Sequence, residues 1–248
     1  MSAEPIVGLV VPNAEGNVPP EAYQLYPSGV RFISAGLGLR SLSPRGYDAV
    51  IDHIADVAKT LAAQGAAAIA VNGTSLTFYR GYAFHEQLKE SVRAATGLPV
   101  STMSSGVVDG LRALGVRRVA VGTAYIDEVN NRLRQFLADS GFEVLVLEGL
   151  GLEDFGAPGQ VTEDDVLALG QRVYADAPDA DGILISCGGL RTLEITRRLE
   201  EACGLPVVSS RPAALWAAVR LVGHSGYSPG YGRLLALGAP AEAARATP

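Results

Sequence analysis

GLPVSTMSSGVVDGLRALG (residues 97–115) and GLPVVSSRPAALWAAVRLVG (residues 204–223) share one pattern: a turn, a short strand, a serine-containing loop and a helix. AAIAVNGTSLT (residues 67–77) and DGILISCGGLRT (residues 181–192) form a second pair, each with a strand, a tight polar loop and a helix start. The two pairs occur in the same order and at nearly the same separation along the chain. One pair could arise by chance, but two favour an internal duplication into two similar α/β halves.

Short apolar runs alternate with longer helical patterns on both sides of these segments. The predicted strands are residues 6–11, 67–71, 100–103, 119–122, 143–147, 182–186 and 207–209. The predicted helices are residues 47–64, 85–96, 105–114, 126–140, 163–174, 193–203 and 213–221. Continuous apolar runs are typical of strands covered on both faces, and the alternation predicts short parallel sheets flanked by helices. We therefore expect an α/β fold with two pseudo-symmetric, Rossmann-like halves, residues 1–115 plus 214–248 and residues 116–213.

Composition excludes several classes of protein. The chain has 248 residues, 48% of them hydrophobic, and a formal net charge of −6, which is typical of a globular domain. A sequence pI near 5.1 argues against nucleic-acid binding, and no apolar run is long enough to span a membrane. The start, MSAEPIVGLVVPN, lacks a basic region and is interpreted as a first strand instead of a signal peptide. We expect a cytoplasmic protein with two free thiols.

The active site is expected in the cleft between the two halves. Open parallel sheets bind ligands beyond the carboxyl ends of their strands, so the loops at residues 72–75 and 187–189 should face each other across a ligand. Cys187 follows an apolar run and precedes two glycines and a helix that starts near Thr192. The helix dipole favours the thiolate form there, and the glycines let backbone amides approach an anion closely. The alternative is a small buried residue at a strand end.

The facing loop carries two hydroxyls, Thr74 and Ser75, which suit an oxyanion, although taken alone they fit an ordinary helix cap better. Tyr125 follows another predicted strand and either donates a hydrogen bond to a carboxylate or packs on the core. Cys203 lies late in a helix and is expected to be structural. The three histidines have no metal-ligand spacing, and the phosphate-loop, dinucleotide and G-x-S-x-G patterns are absent.

Several segments resemble the arylmalonate decarboxylase family. They are VNGTSLTFYRG (residues 71–81), GLRALGVRRVAVGTAYIDEVN (110–130), GILISCGGL (182–190), GLPVVSS (204–210), LYP (25–27), FISAGLGL (32–39) and PGYGRL (229–234). The likeness extends from about residue 6 to residue 234. This family is grouped with aspartate/glutamate racemases, hydantoin racemases and maleate isomerases, and the resemblance implies two α/β halves around a central cleft.

The resemblance implies an enantioselective carboxy-lyase that uses neither a cofactor nor a metal. Its substrates would be small dicarboxylates, namely 2-aryl- or 2-alkenyl-malonates with a second substituent, converted to enantiomerically enriched 2-arylalkanoic acids. An enediolate would be held by an oxyanion hole and protonated by one cysteine. The implied catalytic residues are Cys187, Thr74, Ser75, Tyr125 and Gly188. The implied substrate-binding residues are Pro12, Asn13, Gly73, Gly189, Leu39, Leu42, Phe155 and Pro158. Family resemblance also implies a monomer that binds neither nucleic acid nor membranes.

Three departures from the family pattern matter. The racemases carry a cysteine in each loop, but here Gly73 stands at the first-half position, which excludes symmetric two-thiol racemisation. Asn13 replaces a residue that is more often apolar, and residues 149–160 diverge most. Two alternatives stay open: a racemase or cis-trans isomerase in which Cys187 works with another base, and a carboxylate-binding protein without enzymatic activity.

Overall fold

The computed structural model describes residues 3–239, and their strands form two sheets of four parallel strands each. The first sheet contains β1 (Ile6–Val11), β2 (Arg31–Gly36), β3 (Ala68–Val71) and β4 (Val100–Thr102), in the spatial order β2-β1-β3-β4. The second contains β5 (Arg118–Thr123), β6 (Glu143–Gly149), β7 (Gly182–Ser186) and β8 (Val207–Ser209), in the order β6-β5-β7-β8. The two sheets therefore repeat one topology, and the predicted α/β fold with two pseudo-symmetric halves is confirmed.

Helices connect the strands in both halves. They are α1 (Pro20–Leu25), α2 (Pro44–Asp48), α3 (Ile54–Ala63), α4 (Thr74–Phe78), α5 (Tyr82–Thr96), α6 (Met103–Ala113), α7 (Asp127–Asp139), α8 (Glu163–Asp176), α9 (Leu193–Cys203) and α10 (Ser210–Arg220). Two short 3₁₀ turns, Ile51–His53 and Ala157–Gln160, complete the set. No helix in the described part of the chain is long and apolar enough to cross a membrane.

The secondary structure differs from the prediction at one helix and at three short elements that were given no range. The single helix predicted for residues 47–64 is broken at Val50, whose φ of −124° is not helical, and Ile51 and Ile54 after the break are both buried in the core. Strand β2 was missed because it lies at a sheet edge and is mostly half-buried, so its sequence, RFISAG, has no continuous apolar run. Helices α1 and α4 were missed because a helix of five or six residues is too short to display a period.

The division into domains remains a prediction. Its boundary after residue 213 falls inside α10, which packs against β3 and β4 of the first sheet and against β7 and β8 of the second. Residues 1–2 and 240–248, which the prediction assigns to the first half, lie outside the described residues.

Helices α6 and α10, the equivalent helices of the two repeats, pack directly on each other. Their closest approach is at Gly106, where a Cβ atom would lie 2.7 Å from the carbonyl oxygen of Ala213 and 2.8 Å from the Cα of Ala214. Backbone atoms cannot rotate away as a side chain can, so any larger residue at Gly106 must separate the helices. Since both helices begin at the carboxyl end of a strand, this contact also sets the spacing of the strand ends where the ligand site is expected.

We expect Gly106→Ala to lower the free energy of unfolding by about 1–3 kcal/mol, because overpacking outweighs the gain in helix propensity. Urea denaturation measures the change. Asp109→Ala, an exposed position of the same helix, is the control and should stay within about 0.5 kcal/mol of the wild type. Equal stability of both variants and wild type would show that the helices are free to move apart.

Candidate active site

A cavity of about 370 Å³ lies at the carboxyl ends of the strands of both sheets. Its wall includes residues that follow β1, β3, β5 and β7: Pro12 and Asn13, Gly73 to Ser75, Tyr125, and Cys187 to Gly189. This is where open parallel sheets place their ligands. The volume falls in the range of small-molecule sites and suits a ligand of one aromatic ring with short substituents.

All thirteen residues assigned to the site from the sequence contribute to this one wall. They are Pro12, Asn13, Leu39, Leu42, Gly73, Thr74, Ser75, Tyr125, Phe155, Pro158, Cys187, Gly188 and Gly189. The structure therefore brings the predicted residues together, although their individual roles remain predictions. The divergent segment at residues 149–160 does reach the cavity, through Phe155, Gly156, Pro158 and Gly159.

Further residues of the wall were not predicted as site residues. They are Val11, Asn17, Val18, Pro19, Pro20, Asn72, Leu76, Met103, Gly156, Gly159 and Arg211. The signal that located the other loops applies to at least three of them. Asn72 directly follows β3 and lies in the loop at residues 72–75 that was expected to face the ligand. Met103 directly follows β4 and Arg211 follows β8 by two residues, so both lie at carboxyl ends of strands.

The loop after β3 presents polar groups to the cavity while its carbonyls are bound on the other side. Thr77 donates from Oγ1 to the Gly73 carbonyl (3.1 Å), and Ser104 donates from Oγ to the Thr74 carbonyl (3.0 Å). Thr74 Oγ1 and Asn72 Nδ2 are buried and have no hydrogen-bond partner among the described residues. Buried donors are normally satisfied, so unpartnered ones on a cavity wall are available to a ligand.

Gly73 itself explains why this loop carries no side chain at its first turn. Its φ of +112° lies in a region that residues with a Cβ rarely adopt, and a Cβ there would lie 3.2 Å from the Cβ of Leu76. A thiol at this position would strain the observed backbone. The first loop therefore offers hydroxyl and amide donors without a nucleophile.

Two buried tyrosines stand beside the loops. Tyr125 is 1% exposed, and its hydroxyl lies 3.5 Å from Ser186 Oγ. Tyr47 on α2, which the sequence did not mark, is fully buried with an unpartnered hydroxyl. Burial raises the pKa of both phenols above 10, and the neighbouring Cys187 adds to the rise in each. Both therefore stay neutral hydrogen-bond donors at neutral pH.

Cys187 is buried in the turn between β7 and α9. The turn is closed by a bond from the Leu190 amide to the Cys187 carbonyl (3.2 Å), and the Gly189 amide donates to Cys187 Sγ (3.4 Å). Burial raises the pKa of the thiol above its ordinary value of 9.0, and the amides and Arg211 only partly oppose it. The helix dipole was expected to favour the thiolate, but α9 begins only at Leu193, and desolvation is the largest influence on this pKa.

The opposite part of the wall is apolar. Leu39, Leu42, Phe155 and Pro158 lie there, and two backbone bonds fix the first two: the Leu39 amide donates to the Pro12 carbonyl and the Leu42 amide to the Glu153 carbonyl (both 2.8 Å). The second bond ties the first half to the second. The site thus combines a polar region of hydroxyls and amides, a protonated thiol, and an apolar pocket.

The other candidate residues lie elsewhere. Cys203 ends α9 and is not part of the cavity wall. His85 is buried on α5, where Nε2 lies 2.8 Å from Thr102 Oγ1 and 3.1 Å from Ser105 Oγ, and burial together with Lys89 lowers its pKa to about 4. Within residues 3–239, no group of three or more His, Cys, Asp or Glu side chains is placed to hold a metal ion.

Comparison with known proteins gives one consistent result. A family model described as arylmalonate decarboxylase matches residues 7–235. The arylmalonate decarboxylase of Bordetella bronchiseptica is 50% identical over 234 residues, which cover 94% of this chain and 97% of that protein. The maleate isomerase of Nocardia farcinica is 27% identical over 242 residues, 92% of this chain and 94% of that protein.

Solved structures agree with this result. A double mutant of arylmalonate decarboxylase in a liganded form, with one glycine changed to cysteine and one cysteine to serine, matches with a TM-score of 0.91 at 50% identity, covering 93% of this chain and 98% of that one. Nocardia farcinica maleate cis-trans isomerase bound to TRIS matches with a TM-score of 0.85 at 23% identity, covering 93% and 97%. At that identity the second match shows a shared fold alone.

The raised pKa of Cys187 has a direct test. We expect the rate of Cys187 alkylation by iodoacetamide, followed by peptide mass spectrometry, to keep rising with pH through 9 without levelling off, because the thiolate is the reacting species and its fraction grows until the pH passes the raised pKa. The same residue in the urea-unfolded chain is the control, and its rate should level off at lower pH. A reaction rate in the folded protein that already levels off near neutral pH would contradict the assigned protonation state.

Proposed function

The chain belongs to the arylmalonate decarboxylase family, and from this we propose that it removes one carboxylate, as CO₂, from a 2-aryl- or 2-alkenyl-malonate that carries a second substituent. The observation that carries the proposal is the set of buried polar groups on the cavity wall. Thr74 Oγ1 and Asn72 Nδ2 have no partner among the described residues, and Tyr125 adds a neutral phenol to the same wall.

Such donors match the charge that develops in this reaction. When the bond between the α-carbon and the departing carboxylate breaks, its electron pair stays on the α-carbon and spreads into the retained carboxylate as an enediolate. No base is required, because the leaving group is CO₂. Hydrogen bonds to the retained carboxylate become stronger as its charge grows, so donors held in advance lower the barrier. We assign this role to Thr74, Ser75, Tyr125 and the Gly188 amide.

The apolar pocket suits the departing carboxylate. Leu39, Leu42, Phe155 and Pro158 offer it no hydrogen-bond donors from their side chains. An ionised group in such surroundings is destabilised relative to water, whereas neutral CO₂ is not. Loss of the charge as CO₂ is therefore favoured at this end of the cavity, while the other carboxylate stays with the donors.

Cys187 then supplies the proton that completes the product. The S–H bond breaks, the proton forms a new C–H bond at the α-carbon, and the resulting thiolate regains a proton from water. Burial keeps the thiol protonated beforehand, which a proton donor requires. Since only one loop carries a thiol, protonation from one face gives one enantiomer of the 2-arylalkanoic acid.

The racemase or isomerase alternative is less well supported. Those reactions, as the superfamily performs them, use a second cysteine in the first loop, and the position is occupied by Gly73 in a conformation that disfavours a side chain. Among the residues of the cavity wall, Cys187 is the sole cysteine.

The proposed activity is tested by incubating the purified protein with 2-methyl-2-phenylmalonate and measuring CO₂ release and product chirality. We expect turnover to one enantiomer. Cys187→Ser should slow it by about 10²–10⁴-fold, because a hydroxyl is a far weaker acid than a thiol. Cys203→Ser is the matched control and should retain wild-type turnover. Ligand-induced stabilisation without CO₂ would favour a binding protein, and exchange of the α-hydrogen in deuterated water without CO₂ would favour a racemase.

The oxyanion-hole assignment has a separate test. Tyr125→Phe removes one hydroxyl and keeps the ring that packs on Phe78, so we expect the fold to be retained and kcat to fall by about 10²–10³. Tyr82→Phe, an exposed tyrosine outside the cavity wall, is the control and should leave kcat unchanged. A wild-type kcat in Tyr125→Phe would remove Tyr125 from the oxyanion hole.

A further inference from the structure

Arg211 is a charged residue on a largely apolar cavity wall, and the mechanism above does not use it. It lies at the second position of α10 and donates from Nη2 to the carbonyl oxygen of Gly188. Its Nε lies 3.3 Å from Glu21 Oε1, on α1. Arg211 thereby connects the turn that carries Cys187 with α1, whose first residue, Pro20, lines the cavity together with the preceding Pro19.

The pair formed by Arg211 and Glu21 joins the two halves. The other ion pairs of the described residues stay between β2 and β4 or between β5 and β8, that is, within one half. Glu21 follows β1 of the first sheet, whereas Arg211 follows β8 of the second. The ion pair thus links the two halves of the protein beside the cavity.

The pair is poorly built for stability alone. Its side chains are 24% and 22% exposed, and both Arg211 Nε and Glu21 Oε2 are buried atoms without a hydrogen-bond partner among the described residues. Half-buried pairs with unsatisfied atoms gain little net folding free energy, since desolvation offsets the attraction. The position of the pair beside the reacting thiol therefore indicates its role better than any contribution to folding stability does.

We propose that Arg211 and Glu21 are positioning residues for the reaction: Arg211 holds the Cys187–Gly189 turn through the Gly188 carbonyl, and Glu21 anchors the guanidinium and offsets its charge. The proposal rests on the proposed function in so far as Cys187 is the proton donor. It assigns no contact with the substrate to either residue.

The proposal predicts how the pKa of Cys187 changes when the charges around it are removed. The groups that face the thiol are Arg211 from α10, Tyr125 from the loop after β5, and Tyr47 from α2. Both tyrosines stay neutral because burial raises their pKa values. Burial raises the pKa of Cys187, and Arg211 opposes it. Removing Arg211 should therefore raise this pKa further, whereas removing the charge of Glu21 should strengthen the effect of Arg211 and lower it.

The experiment compares Arg211→Met, Arg211→Lys, Glu21→Gln and wild type. Arg197→Met, which breaks an exposed pair with Glu201 on α9, is the control. We expect Arg211→Met to lower kcat by about 10- to 100-fold with little change in KM, because the reacting groups are misplaced. Arg211→Lys keeps the charge and should retain more of kcat. The alkaline decline of kcat should move to higher pH in Arg211→Met and to lower pH in Glu21→Gln.

The pH dependence of Cys187 alkylation in the same variants should show the same two opposite shifts, and it needs no turnover. If wild type decarboxylates no malonate, the proposed function fails while this titration still decides the role of the pair. Shifts in the same direction, no shift, or a wild-type kcat in Arg211→Met would overturn the inference. If Arg211→Met does not fold, Arg211→Lys and Glu21→Gln decide it.

Discussion

The contact between α6 and α10 at Gly106 is the constraint on which the rest of the molecule depends. Each helix follows the last strand of one sheet, and the first turns of both contribute to the cavity wall through Met103 and Arg211. With backbone atoms of α10 less than 3 Å from the position of a missing Cβ, the two helices leave no room for a side chain at Gly106. That distance holds the carboxyl ends of two equivalent sheets against one shared space.

Much of this arrangement is readable from the sequence, and the limits are physical. Strands covered on both faces, such as β7, are continuous apolar runs and were predicted residue for residue. Edge strand β2 lacks that signal because solvent reaches it. Tyr47 and the unpartnered state of its hydroxyl depend on how α2 packs, which no local pattern encodes. Arg211 was missed because a lone arginine near a helix start is ordinary on a surface; only the ion pair with Glu21 distinguishes it.

Burial accounts for both kinds of chemistry in the site. The same desolvation that keeps Tyr125 and Tyr47 as neutral donors keeps Cys187 protonated. In water, a thiol near a guanidinium would be partly ionised and would act as a nucleophile. In this cavity it is an acid, and its surroundings separate a polar end from an apolar one. One physical effect therefore raises the pKa of every titratable group assigned to the reaction.

Because of the positive φ of Gly73, the two duplicated loops differ in what it costs to carry a side chain. A duplication begins with identical loops, and either is free to keep or lose a reactive side chain. Once one loop has settled at a φ of +112°, returning a side chain to it costs about 1–3 kcal/mol at that residue. This is a sizeable part of the 5–15 kcal/mol that typically holds a domain folded. A side chain can therefore return to this loop only if stability elsewhere in the domain, or a change in the loop backbone, offsets that cost.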